Sequence, residues 1–96
     1  MDYINQNQLK YIGKSFFRSY DHNTYSIEDA LRDTTDNLEN DSKLHMGYVS
    51  RAGYYLTLVL KIYQNTHAAY LSFGYSVNKI YFERKVESVW QGLREI

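Results

Sequence analysis

The chain has 96 residues, equal numbers of acidic and basic side chains, and neither cysteine nor proline. This composition excludes a disulfide scaffold, a thiolate zinc site, a cysteine nucleophile and a proline-rich ligand segment. A chain of this length is expected to form a single domain, residues 1–96, with a small core. It contains no apolar run long enough for a secretory signal or a membrane helix, which predicts a cytoplasmic protein with no membrane partner.

Tyrosine is unusually frequent, with 11 residues in 96. Asparagine, isoleucine, lysine and tyrosine are encoded by A/T-rich codons, and together they far outnumber alanine, glycine, arginine and proline. The composition therefore indicates an A/T-rich gene, which is typical of phage and other mobile elements and also of low-GC bacteria. Phage or mobile-element origin is one of the expectations that we carry forward.

The first predicted element is a helix from Asn5 to Tyr20. Its apolar residues recur at spacings of three and four and would form one stripe, Leu9, Ile12, Phe16 and Tyr20. The turn-forming sequence Asp21-His22-Asn23 would end it.

A second helix is predicted to begin after Ser26, whose hydroxyl suits the N-cap position. The next acidic residues, Glu28 and Asp29, would lie in the first turn, where negative charge is favourable at the positive end of a helix. Apolar residues then repeat with helical period as far as Leu38, and Asn40-Asp41-Ser42 would end the helix.

Residues 44–77 fit two patterns. Tyr54 to Tyr63 alternates as a strand that is apolar on both faces, but the same stretch also fits a helical stripe. The abundance of tyrosine, threonine, valine and isoleucine favours strands, as does the alternation from Ala69 to Val77. A helical period returns from Lys79 onward.

These elements predict an α+β fold with two N-terminal helices, a short antiparallel sheet and a C-terminal helix. The alternative is an all-α helical bundle. From Ser26 onward the predicted order of helix, three strands and helix resembles double-stranded-RNA-binding domains in topology. The adjacent lysines that this family carries at the start of its last helix are replaced by Asn78-Lys79-Ile80.

The sequence points to no catalytic or metal chemistry. His22, His45 and His67 are far apart and have no ligand spacing, so we expect no metal site and no other cofactor. No phosphate-binding loop, nucleophile elbow or paired carboxylates are evident, so we expect a protein that is not an enzyme.

Charge segregation and tyrosines instead favour a protein-binding module. The segment from Glu28 to Asp41 has a net charge of −5, from six acids and one base, and three of its acids, Asp29, Asp33 and Asp36, would share one helix face. Such a face suits a partner protein with a basic surface. Tyrosines are common at interface hot spots, and the candidates are Tyr54, Tyr55, Tyr63, Tyr70 and Tyr75. The expected function is that of an inhibitor, immunity protein, antitoxin or anti-defence regulator that sequesters or blocks a macromolecule.

Nucleic-acid or nucleotide binding is the alternative function. It would use the basic residues of the first and last predicted helices, namely Lys10, Lys14, Arg18, Lys79, Arg84 and Lys85. An exposed strand edge and an aromatic surface would also suit an oligomeric accessory protein, including a homodimer.

Overall fold

The computed structural model describes residues 13, 15–39, 43–62 and 66–96. They form a seven-stranded mixed sheet and a helix. The elements are β1 (Phe16–Ser19), α1 (Ile27–Asp36), β2 (Leu44–Ser50), β3 (Tyr54–Ile62), β4 (His67–Gly74), β5 (Ile80–Val86), β6 (Val89–Trp90) and β7 (Arg94–Glu95). The sheet order is β1-β2-β3-β4-β5-β6, and β7 also pairs with β5. The β1–β2 pair is parallel, and the other pairs are antiparallel.

The helix α1 confirms the element predicted after Ser26. The Ser26 hydroxyl accepts a hydrogen bond from the backbone N–H of Asp29 at 3.0 Å, and this satisfies an amide that the first helical turn leaves free. The buried face of the helix consists of Ala30, Leu31, Thr34 and Thr35. The Thr34 and Thr35 hydroxyls each donate to the carbonyl four residues earlier, so burying them leaves no unpaired hydroxyl.

The strands predicted within residues 44–77 are also confirmed, as β2, β3 and β4. They form a continuous antiparallel meander in which Tyr48 pairs with Leu56 and Leu58 pairs with Leu71. Burial alternates along each strand, because one face of the sheet packs against α1 and the other does not.

The predicted N-terminal helix is wrong in its described part, where residues 16–19 form β1. Phe16 and Tyr20 have a helical spacing, but residues 16–19 form a strand in which burial alternates from one residue to the next. Phe16 points toward the core while Phe17 points to the opposite face. Residues 1–12 and 14 lie outside the described residues.

The predicted C-terminal helix is wrong, because residues 80–95 form β5, β6 and β7. The alternation that identifies β5 is Tyr81, Glu83 and Lys85 on the buried face. Two of these three residues are charged, and charged side chains are ordinarily read as solvent positions. The all-α bundle and the double-stranded-RNA-binding order of elements are wrong for the same reason.

The core lies between α1 and one face of the sheet. Its buried apolar residues are Ala30, Leu31, Val49, Tyr55, Val59, Tyr70 and Tyr81. Beside this core β1 lies very close to β2, because a Cβ at Gly47 would collide with the Phe16 carbonyl oxygen and ring. Glycine at position 47 therefore lets β1 pair with β2.

Candidate partner-binding surface

The two sheet faces do not show the usual division into an apolar packed face and a polar open face. The face packed against α1 carries many polar residues, namely His45, Thr57, Lys61, Ser72, Glu83 and Lys85, all of them buried. The strand positions that alternate with these form the uncovered face, which is dominated by leucine, isoleucine, methionine, phenylalanine and tyrosine. Apolar side chains normally occupy the packed face, so this distribution makes the uncovered face the candidate binding surface.

Seven large apolar residues on the uncovered face are between 36% and 62% exposed: Phe17, Leu44, Met46, Tyr48, Tyr54, Leu60 and Ile62. At about 150–250 Å² for a large side chain, these exposed fractions amount to roughly 600 Å². That area reaches the top of the usual range for the largest apolar patch on a monomer, about 300–600 Å². The half-buried leucines and phenylalanines between them extend the surface further.

Four aromatic residues form an aromatic cleft at one end of this face. Phe17, Tyr48, Tyr54 and Tyr75 line a cavity of about 310 Å³. The rings of Phe17 and Tyr54 are 6.5 Å apart between centroids and tilted by 50°. The backbone N–H of Tyr75 donates to the Tyr54 carbonyl at 2.8 Å, which ties the loop after β4 to the start of β3. Tyr75 is 83% exposed, so the cleft presents aromatic edges to solvent.

Two arginines lie near the diagonally opposite corner of the uncovered face. Arg84 on β5 and Arg94 on β7 line a cavity of about 340 Å³ together with Phe82, Gln91 and Gly92, which we call the arginine cavity. Neither guanidinium forms an ion pair or a hydrogen bond among the described residues. Among the described residues, no aspartate or glutamate occupies a strand position on the uncovered face. The surface is therefore apolar with a positively charged corner.

The polar groups on the packed face form an ion-pair network. Glu83, whose side chain is fully buried, accepts from Arg32 Nη2 at 2.5 Å and Nε at 2.9 Å, from the Tyr70 hydroxyl at 2.8 Å and from the Gly92 amide at 2.9 Å. The Arg32 guanidinium also lies 5.6 Å from the Trp90 ring centroid. Arg32, Tyr70 and the Gly92 amide all donate to the Glu83 carboxylate, so the network satisfies one buried charge and joins α1 to β5.

Glu83 remains ionised despite its burial. Burial alone raises the pKa of a carboxyl group, but the hydrogen bonds from Arg32, Tyr70 and the Gly92 amide outweigh it, and the pKa of Glu83 is lowered. Burial and the hydrogen bond to Glu83 both raise the pKa of the Tyr70 hydroxyl. Neither shift brings its group toward neutral pH, where general acid–base catalysis would need it.

We expect the stability of the fold to depend on Glu83 at acid pH. A lowered folded-state pKa means that the contribution of Glu83 to stability is present above its ordinary value of 4.5 and is lost as the pH falls through the lowered value. Urea unfolding of the wild type and of Glu83→Gln, followed from neutral pH to about pH 3, would measure this contribution. The wild type should lose more stability than the variant, and parallel losses in the two proteins would contradict the assignment.

The acidic residues predicted to bind a partner are partly engaged within the molecule. Asp33 accepts from the Tyr20 hydroxyl at 2.8 Å, and Asp36 pairs with Lys85 at 3.1 Å. Burial is the main cause that raises the pKa of Tyr20 to about 12, and Asp33 adds to it. Asp29 is exposed. All three acids lie on α1, on the opposite side of the sheet from the uncovered face.

The predicted tyrosines fall into two groups. Tyr54 and Tyr75 line the aromatic cleft, whereas Tyr55 and Tyr70 are buried in the core. Tyr63 lies outside the described residues. Phe17 was missed, because it was assigned to a helix; reading Phe16-Phe17 with period two would have placed it on the surface.

The described basic residues of the nucleic-acid alternative do not converge. Lys79 pairs with Glu95 at 3.4 Å, Lys85 is buried against Asp36, and Arg84 lies on the opposite face from Lys85. Arg18 lies on β1, where its guanidinium donates to the Asn37 carbonyl at 3.4 Å. Lys10 and Lys14 lie outside the described residues.

Within residues 13, 15–39, 43–62 and 66–96, no three histidine, aspartate or glutamate side chains are grouped to hold a metal ion. In the same residues no helix is both long and apolar enough to cross a membrane. Comparison with protein-family models, curated proteins and solved structures found no match to the chain.

Proposed function

We propose that the protein is a non-catalytic protein-binding module that blocks or sequesters a partner protein through its uncovered sheet face. The observation that carries the proposal is the distribution of side chains on the sheet, with leucine-rich positions open to solvent and several polar positions buried on the face packed against α1. Solvent exposure of these leucines has a cost that burial against a partner would remove.

The aromatic cleft is the proposed anchor of this interaction. Tyrosine and phenylalanine provide a large contact area at low entropic cost, and they dominate the binding energy of many interfaces. A cavity of about 310 Å³ accommodates a large apolar side chain of the partner. The proposed partner therefore presents an apolar surface with a protruding side chain, rather than the basic surface expected from the acidic residues of α1.

The proposal includes inhibitor, immunity or anti-defence activity. It also includes a cytoplasmic location and a gene of phage or other mobile origin. It is supported by the chain's size and composition. Binding through Asp29, Asp33 and Asp36 stays a separate prediction, which reversal of these charges would test.

The test compares a cleft variant with a matched surface variant. Phe17→Ala combined with Tyr54→Ala removes two rings of the cleft, which are 51–62% exposed, and should leave the core intact. At about 2 kcal/mol for a hot-spot residue, the double variant should bind its partner about 100-fold or more weakly. Affinity capture from host extract, quantified by mass spectrometry, should lose specific proteins that the wild type retains.

Val89→Ala is the matched control, because Val89 is 61% exposed and lies outside the cleft. It should capture the same proteins as the wild type. Dissociation constants measured with the identified partner would complete the test. Equal binding by the wild type and the cleft variant would remove the aromatic cleft from the proposal.

A further inference from the structure

We propose that a second copy of this chain covers the uncovered face when no other partner is bound, so that self-association regulates access to the proposed binding surface. This inference rests on the proposed function only in using the same face. Its test needs only the purified protein, so the two proposals can fail separately.

The area of the face is the first argument. The seven exposed side chains alone provide roughly 600 Å² of apolar surface, close to the 800 Å² or so that each partner buries in a standard interface. The remaining difference is supplied by half-buried residues between them, including Leu56, Leu71 and Phe73. The molecule also has zero net charge, so two copies experience no overall repulsion.

The positions of the aromatic cleft and the arginine cavity are the second argument. In the sheet register Tyr48 on β2 is level with Ile80 on β5, whereas Arg84 lies four residues further along β5 and three strands away. From the ordinary strand spacing and rise, Tyr48 and Arg84 are therefore about 20 Å apart along a diagonal of the face. The midpoint of this diagonal falls near Leu71 on β4.

These positions suit a symmetric dimer. A two-fold axis that lies in the plane between the two sheets, perpendicular to this diagonal and level with its midpoint, places each aromatic cleft over the partner's arginine cavity. Arginine guanidinium groups stack favourably on aromatic rings, and the arrangement makes this contact twice. It also keeps the two arginines of one copy away from the two arginines of the other. The strands of the two sheets then cross steeply, as in orthogonal sheet packing.

Sedimentation velocity over a concentration series tests whether the dimer exists. The wild type should approach twice its monomer mass of 11.4 kDa as its concentration rises. Leu71→Glu places two carboxylates at the centre of the dimer and should weaken association by about 100-fold or more. Asn23→Glu adds the same charge at an exposed turn between β1 and α1 and should leave association unchanged.

Cross-linking through introduced cysteines tests the arrangement. The chain has no native cysteine, so each cross-link can be assigned to an introduced position. With a short bismaleimide, Leu71→Cys should form covalent dimers efficiently, because its two copies lie near the axis. The double variant Tyr48→Cys with Arg84→Cys should also form dimers, whereas each single variant should not.

Two outcomes would overturn the inference. One is a wild-type protein that stays monomeric at every concentration, which would leave the face to a different occupant. The other is a dimer that Leu71→Glu does not weaken, because its interface would then lie elsewhere. The proposed axis would be rejected if Tyr48→Cys or Arg84→Cys alone formed covalent dimers and the double variant formed no more of them than the single variants.

Discussion

Replacing Arg32 with methionine is expected to lower the free energy of unfolding by about 3–5 kcal/mol. The substitution retains much of the side-chain volume but removes the guanidinium that binds Glu83 through two nitrogen atoms. The Glu83 carboxylate would remain fully buried with only the Tyr70 hydroxyl and the Gly92 amide as donors. An unpaired buried charge is among the largest single destabilising effects known for point substitutions. Urea unfolding at neutral pH, followed by circular dichroism, would measure it.

The double variant Arg32→Met with Glu83→Gln is the control for this prediction. Glutamine carries no charge, and its carbonyl oxygen can still accept from the Tyr70 hydroxyl or the Gly92 amide. The double variant should therefore be more stable than Arg32→Met alone. If Arg32→Met costs less than about 1 kcal/mol, the ion pair does not hold Glu83 in its charged form.

Replacing Gly47 with valine is expected to detach β1 from the sheet. A Cβ at this position already collides with the Phe16 carbonyl oxygen and ring, and valine adds two methyl groups to the collision. Overpacking of this kind costs about 1–3 kcal/mol or more, and the conflict involves backbone atoms that cannot rotate away. Since β1 carries Phe17, the variant should also lose one wall of the aromatic cleft.

Hydrogen exchange measured by NMR would locate this effect. The amide of Tyr20, which donates to the Ser50 carbonyl at 2.8 Å, should exchange much faster in Gly47→Val, while the amides between β3 and β4 stay protected. Met46→Val is the matched control, since residue 46 lies next along β2 with its side chain exposed. Unchanged protection of Tyr20 in Gly47→Val would show that β1 tolerates a side chain there.

Local signals in the sequence were sufficient for α1 and for the three central strands. Ser26 and the acids after it fix the start of the helix through backbone amides that any helix must satisfy. In β3 and β4 the alternation is long enough for period two to prevail. Such signals act within a few residues, so they identify elements without revealing which faces meet.

The errors occurred where distant partners decide the structure. Glu83 and Lys85 occupy buried strand positions only because Arg32 and Asp36, about 50 residues earlier, neutralise them. No window of sequence around β5 contains those partners. The residues of the candidate surface were predicted only in part for the same reason. Tyr54 and Tyr55 are identical neighbours in the sequence, but their side chains lie on opposite faces of the sheet. Their assignment depends on which side of the sheet α1 occupies.

The buried ion pairs have a consequence for the choice between the two sides of the sheet. Apolar area alone would draw the helix onto the leucines, since that face offers the greater hydrophobic gain. Arg32 pairs with Glu83 on the other side, where Asp36 also pairs with Lys85 and Lys61 donates to the Leu38 carbonyl at 2.6 Å. The charges thus select against a competing structure in which the chain would satisfy its own hydrophobic surface. In that alternative α1 would cover the proposed binding surface.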